Sequence, residues 1–254
     1  MKRKILSLFT AIIMLFPILS IPGNATNTVS YDTAYQWAVN AGFPKTFLDN
    51  IDENFLDEIY YANVNDEKLE VGYKVAHLTP SGMTTNGNIS SSDLTYTIVY
   101  GKVSSGGIIQ NVNIYVSYKW SPYAMVTYTD AVAINWDSSV WYMDDNSFSA
   151  YLYGDTDNYC YDTLTRPATK NQGGCGWFLP LSSQRGYPYG HATFELKPIN
   201  TSLRDGTAYA SSVTGIYAHR TLALPLLSFS TSGFSVGISG VYNQAAASTS
   251  FLHG

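Results

Sequence analysis

Ile108-Ile109-Gln110-Asn111-Val112-Asn113-Ile114-Tyr115-Val116-Ser117-Tyr118-Lys119-Trp120 is the stretch that decides the fold class of this chain. Ile108, Val112, Ile114, Val116, Tyr118 and Trp120 fall on one face, and Asn111, Asn113, Ser117 and Lys119 on the other. Strict period two marks a strand with one side against a core. The run is long for a strand, and Gln110 places a polar group in the apolar row. A bulge is expected there.

Outward from this stretch, Leu94, Tyr96, Ile98 and Tyr100 alternate in the same way, and Ser104-Ser105-Gly106-Gly107 supplies a hairpin turn between the two runs. Further strands are expected over residues 125–136, 140–143, 147–153, 191–197, 208–213, 215–224 and 233–242. Turn residues, not helical patterns, separate them. This predicts an antiparallel β-sandwich over residues 67–254, with residues 154–190 as one long loop.

Residues 26–66 read differently. Gly42 and Pro44 stop a short helical segment at 34–41, and 45–62 carries Phe47, Leu48, Ile51, Phe55 and Ile59 at helical spacing. Asp49, Asp52, Glu53, Asp57 and Glu58 take the other faces. A small helical hairpin packed on the β domain is expected.

Residues 1–25 have the pattern of a secretory signal peptide: Lys2, Arg3 and Lys4, then an apolar run, then small residues at Gly23-Asn24-Ala25. The apolar run is about 15 residues, short of the ~20 that span a membrane, and holds Pro17. A secreted, extracellular or cell-wall-associated protein with no stable membrane anchor is expected. Loss of three cations would take the formal net charge from −5 to about −8. An acidic chain repels nucleic-acid phosphate, so nucleic acid is not an expected partner. The 21 tyrosines, 11 phenylalanines and 5 tryptophans fit strands that bury aromatic side chains. In an oxidising compartment Cys160 and Cys175, the chain's two cysteines, would pair as a disulfide, closing a loop worth on the order of 3 kcal/mol.

Complete catalytic motifs are harder to draw. Residues 170–178 resemble the start of a papain-type cysteine protease, but Cys175 aligns with that family's structural cysteine and the nucleophile's position is missing. Gly233-Phe234-Ser235-Val236-Gly237 matches the nucleophile elbow, yet no Asp or Glu follows it and His253 is the one later histidine. Ser235 is expected on the solvent side of a strand. His191 and Glu195 share a strand face about 13 Å apart, with His219 on another strand as a possible cross-strand neighbour. These three are the candidate catalytic residues of a hydrolase sited near the 155–191 loop. Asp155, Asp157, Asn158 and Asp162 offer oxygen ligands suited to calcium, but without EF-hand spacing; neither a cofactor nor a resident metal is expected. Trp120, Trp136, Trp141 and Trp177 are candidate stacking platforms for an extracellular glycan or protein ligand.

Ala41-Gly42-Phe43-Pro44 leading to Phe47-Leu48-Asp49, the central Tyr118-Lys119-Trp120-Ser121, and Gly233-Phe234-Ser235-Val236 to Tyr242-Asn243 resemble uncharacterised secreted proteins of Gram-positive bacteria. The resemblance implies secretion and a β-rich fold, and transfers no functional residues. The leading expectation is a non-catalytic extracellular binding or interaction protein. Two others are a secreted hydrolase and a membrane-active, bacteriocin-like toxin, the latter from the small-residue alternation over 228–250.

Overall fold

The computed structural model describes residues 29–66, 68–77, 94–121, 128–154, 159–181, 188–220, 227–240 and 242–254. The 1–25 leader pattern and Asp155, Asp157 and Asn158 lie outside the described residues. No helix among the described residues is long and apolar enough to cross a membrane.

Among the described residues, three helices come first: α1 (Tyr31–Ala41), α2 (Lys45–Leu48) and α3 (Glu53–Asn63). Ser30 caps α1 by accepting from the Thr33 N–H, and Gly42 ends it at φ 101°, a left-handed conformation that favours glycine. The segment expected as one helix over 45–62 is two, because the Asp52 carboxylate accepts from the N–H groups of Asn54 and Phe55 and starts a new helix there.

Fourteen strands follow among the described residues: β1 (Lys68–His77), β2 (Leu94–Ser105), β3 (Ile108–Trp120), β4 (Thr129–Trp136), β5 (Trp141–Met143), β6 (Ser149–Gly154) and β7 (Tyr159–Leu164), then β8 (Thr169–Asn171), β9 (Gly174–Pro180), β10 (Pro188–Pro198), β11 (Tyr209–Arg220), β12 (Ser228–Ser232), β13 (Ser235–Ser239) and β14 (Tyr242–His253). One sheet runs β1-β2-β3-β10-β6-β7, with β5 also on β10, and a second runs β14-β11-β4-β9-β8. Strand pairing is antiparallel in both, and their inner faces close on one core holding Ile98, Ile114, Val116, Ile134, Phe194 and Phe251. The protein is an antiparallel β-sandwich with an N-terminal helical segment.

The β2–β3 hairpin turns at Gly106 (φ 58°) and Gly107 (φ 76°), the paired left-handed conformations of a type I′ turn. The bulge falls where the alternation predicts it. Val103 pairs with Asn111 and Ser104 with Ile109, so Gln110 is the extra residue. That extra step turns Ile109 into the core in place of Ile108.

The outer face of the first sheet is not solvated. Val99 and Tyr115 point away from the sandwich and pack with Ala34, Ala38, Phe43, Phe47, Phe55 and Ile59 of the helices. On the far side, the β12–β13 hairpin lays Val236 and Ile238 over Ala131, Ala133 and Ala218 of the second sheet. The layers are therefore helices, sheet, sheet and hairpin.

The expected loop at 154–190 is largely strands β7, β8 and β9. This separates the cysteines, correcting the expected disulfide. Cys160 lies on β7 of one sheet and buried Cys175 on β9 of the other, both as free thiols. The protease-like stretch is the β8–β9 hairpin, whose glycines seat the β12–β13 hairpin. A Cβ at Gly173 would collide with the backbone carbonyl of Phe234, and one at Gly176 would press into the Phe229 ring. Ser235 is solvent-exposed as expected, but Phe234 is exposed at the hairpin turn instead of pointing inward. The small-residue pattern over 228–250 belongs to this hairpin and to β14, whose Ala245, Ala247 and Phe251 are core residues.

Gly173→Ala is expected to lose about 1–3 kcal/mol in denaturant titration and to expose the amides of β12 and β13 to hydrogen exchange, because backbone must move to admit the methyl. For the cysteines, intact mass under non-reducing conditions should show two free thiols. Maleimide should label half-buried Cys160 in the native protein and Cys175, whose thiol pKa burial raises, only after unfolding.

Candidate functional site

Each candidate histidine sits in a different environment. On β10, the face His191, Thr193, Glu195 and Lys197 looks toward the helices, while Ala192, Phe194 and Leu196 enter the sandwich core. The His191 ring stacks on Phe55 of α3, with centroids 3.8 Å apart and planes at 12°, and Tyr151 and Tyr153 flank it. Its Nδ1 lies 3.2 Å from Oδ2 of Asp52 without hydrogen-bond alignment. Burial without that compensation drives the His191 pKa well below 6.5, while burial raises Asp52 and Glu58. A neutral imidazole held in an aromatic sandwich suits a packing role.

Glu195 lies farther along the same face. With Glu58, Phe55, Asn113, Tyr115 and Thr193 it lines a small cavity of about 260 Å³ beneath α3. Burial raises its carboxyl despite Lys197 4.0 Å away.

His219 belongs to the other sheet and does not join them. It is fully buried on β11, beside Asp130 of β4. Its Nδ1 is 2.9 Å from Oδ1 of Asp130, and the same carboxylate accepts from the Tyr217 hydroxyl at 2.5 Å and the Arg220 N–H at 3.1 Å. Trp120 donates its indole N–H to the Tyr217 oxygen at 3.0 Å. Burial raises the Asp130 carboxyl, and these contacts offset only part of that rise. The bond to Asp130 puts the imidazole proton on Nδ1 and leaves Nε2, buried, with no partner among the described residues.

The tryptophan platforms are corrected. Trp120, Trp136, Trp141 and Trp177 are all core residues, the most exposed being Trp136 at 6%. Trp136 donates to the Gln172 carbonyl and Trp141 to Ser211 Oγ, so their polar edges are engaged inside the protein as well. Among the described residues the most exposed aromatic ring is one the sequence did not single out: Tyr209, 67% exposed at the start of β11.

Tyr209 stands at the mouth of a cleft of about 510 Å³ between the ends of the sheets, walled by Val140, Ile199, Leu203, Asp137, Asn200 and His253. Its ring stacks on His253, with centroids 5.8 Å apart. His253 Nε2 is 3.0 Å from Ser211 Oγ, which also receives the Trp141 indole N–H at 2.8 Å. The core thus braces the cleft wall from behind. Burial lowers the His253 pKa, keeping the ring neutral near pH 7.

No family model matches the chain, and no curated protein is significantly similar to it. Among solved structures, the collagen adhesin from S. aureus is similar at 10% identity and a TM-score of 0.27, over 73% of this chain and 80% of that one. The enzymatically active domain of tailspike protein 4 from bacteriophage CBA120 is similar at 9% identity and a TM-score of 0.22, over 76% of this chain and 20% of that one. At these TM-scores neither carries an argument.

For calcium, Asp162 is on β7, where its Oδ1 accepts from the Thr163 N–H. Among the described residues no three His, Cys, Asp or Glu side chains gather as metal ligands would.

His191 sets a pH dependence. Its folded pKa lies below the 6.5 of an unperturbed histidine, so as pH falls the unfolded chain takes up a proton first. Its contribution to stability is complete above about pH 6.5 and declines below it. Asp52 and Glu58, raised by burial, act in the opposite direction, so the informative quantity is the difference between two unfolding curves. Between pH 7 and pH 5, wild type should lose more stability than His191→Gln.

Proposed function

We propose that the chain is an exported, non-catalytic binding module that takes its ligand in the Tyr209 cleft at the end of the sandwich. The observation that carries this reading is an exposed aromatic ring at the mouth of a concave, largely apolar space with a few polar groups on its wall. Exposed Ile199 beside Tyr209 extends the apolar lip. Export is supported by the leader pattern at residues 1–25. The aromatic residues first expected to make the binding face support the core instead.

The purified chain, applied to arrays of immobilised glycans and extracellular-matrix peptides, should retain at least one class. Tyr209→Ala should abolish that retention with the melting temperature unchanged, because the side chain is mostly in solvent. Retention that ignores Tyr209→Ala, or no retention at all, removes the proposal.

A second reading, hydrolysis, is favoured by one arrangement, Asp130 with His219. A carboxylate on Nδ1 and an Nε2 without a partner among the described residues are the orientation a general base requires, but both side chains are fully buried, so base catalysis there needs an opening that brings substrate to Nε2. Turnover of chromogenic esters or glycosides, lost in His219→Gln while near-ultraviolet circular dichroism is retained, would support it. Inert protein across both substrate classes would exclude it.

A further inference from the structure

We infer that the Tyr209 cleft recognises a neutral pyranose unit of a glycan; this rests on the binding reading above and names its ligand class. Among the described residues that line the cleft, Asp137 carries the one carboxylate side chain, and none is lysine or arginine. An anionic sugar or an acidic peptide would meet that carboxylate with no lysine or arginine on the lining itself to pair with. A neutral ring of hydroxyl groups meets no such conflict.

The apolar and polar groups are distributed as a pyranose needs. One side of such a ring presents C–H groups that pack on an aromatic face, and its edge presents hydroxyls that both donate and accept. Tyr209 supplies the aromatic ring, fixed by its stack on His253, and Ile199, Val140 and Leu203 supply apolar walls. Asp137 is an acceptor already held in place, since its Oδ1 takes the Ser139 N–H at 2.9 Å and the Ser139 hydroxyl at 2.6 Å. Asn200 is held likewise by the Ser202 N–H at 3.0 Å. Ligand hydroxyls would therefore meet polar groups whose ordering is already established.

His253 gives the second, independent pointer. With the Trp141 indole proton on Ser211 Oγ, either the Ser211 hydroxyl donates to His253 Nε2 and Nδ1 carries the imidazole proton, or Nε2 donates to Ser211 Oγ and Nδ1 is an acceptor. That Nδ1 is buried without a hydrogen-bond partner among the described residues, on a residue of the cleft lining only 5% exposed. In either tautomer a buried polar atom left unpaired is unfavourable by itself, and a sugar hydroxyl, which both donates and accepts, is a group able to satisfy it.

The test titrates the full chain with neutral β-glucan, mannan and chitin oligosaccharides, with an oligogalacturonate as the charged control, and runs a peptide array in parallel. The expected result is binding of at least one neutral oligosaccharide and not of the uronate. Binding should weaken at least tenfold in Tyr209→Ala, be kept in Tyr209→Phe, which retains the ring, and be kept in Tyr73→Ala, another exposed tyrosine on β1. No neutral sugar bound, or binding indifferent to Tyr209→Ala, overturns the pyranose assignment. Tyr209-dependent peptide binding without sugar binding overturns the ligand class and keeps the binding function. Failure of every array overturns both.

Discussion

Everything else in this structure is arranged around a sheet that must be covered on both faces. In β2, Ile98 faces the sandwich core and neighbouring Val99 faces the helices; in β3, Ile114 and Tyr115 divide in the same way. A strand apolar on both sides cannot stay in water on either, and at roughly 25 cal/mol per Å² of apolar surface the uncovered face would be the larger loss. The helical segment is the cover. Its small residues Ala34 and Ala38 bring α1 close, and Phe43, Phe47 and Phe55 fill the space around Tyr115. The second sheet solves the same problem with the β12–β13 hairpin, which needs glycine beneath it to sit flat.

Covering both faces traps polar groups, and their partners show how the fold tolerates it. Lys102 is 1% exposed on β2, yet Glu70, Asp205 and the Leu252 carbonyl each lie 2.8 Å from its ammonium group. Those partners come from β1, the segment before β11, and β14, so one ammonium ties together elements far apart in sequence. Lys68 joins the same Asp205, whose carboxyl the two lysines lower to about 2. Asn63, at the end of α3, donates to the Tyr115 hydroxyl and accepts from Asn113, fastening the helical cover to the sheet by hydrogen bonds as well as by packing. Such networks favour one arrangement of layers over others, since a shifted helix would leave several of these groups unpaired.

Local chemistry was readable wherever the signal was local. The Gly106-Gly107 turn, the bulge at Gln110, the stop at Gly42 and the outward Ser235 each depend on a residue and its immediate neighbours. What the sequence hid is what the second layer decides. An alternating strand looks the same whether its polar side meets water or helices, so nothing in the His191 face shows that Phe55 and Asp52 close over it. Tryptophan in a strand carries the same signal as platform or as core, and only the partners of Trp120, Trp136 and Trp141 distinguish them. The cysteine pair misled for a similar reason. Proximity in sequence and a shared compartment say nothing about the hairpins that carry Cys160 and Cys175 to different sheets.

The same constraint explains where a ligand can be met. With the helices on one outer face and the hairpin on the other, the broad sheet surfaces are occupied by the protein's own elements, and the ends of the sandwich remain as places where inward-facing positions reach solvent. Tyr209 illustrates the rule. It precedes Ser211, Val213 and Tyr217 on the inward row of β11, yet it lies past the point where the opposing sheet can cover it. An inward-facing residue at a strand end is aromatic for the core's reasons and exposed for the topology's. His253, across the register from Tyr209 on β14, is the last covered member of its own row, and the stack between them joins rigid interior to open cleft. A site built this way takes one wall from the core, through Ser211 and Trp141, and the other from the β4–β5 and β10–β11 connections, which carry Asp137, Val140, Ile199, Asn200 and Leu203.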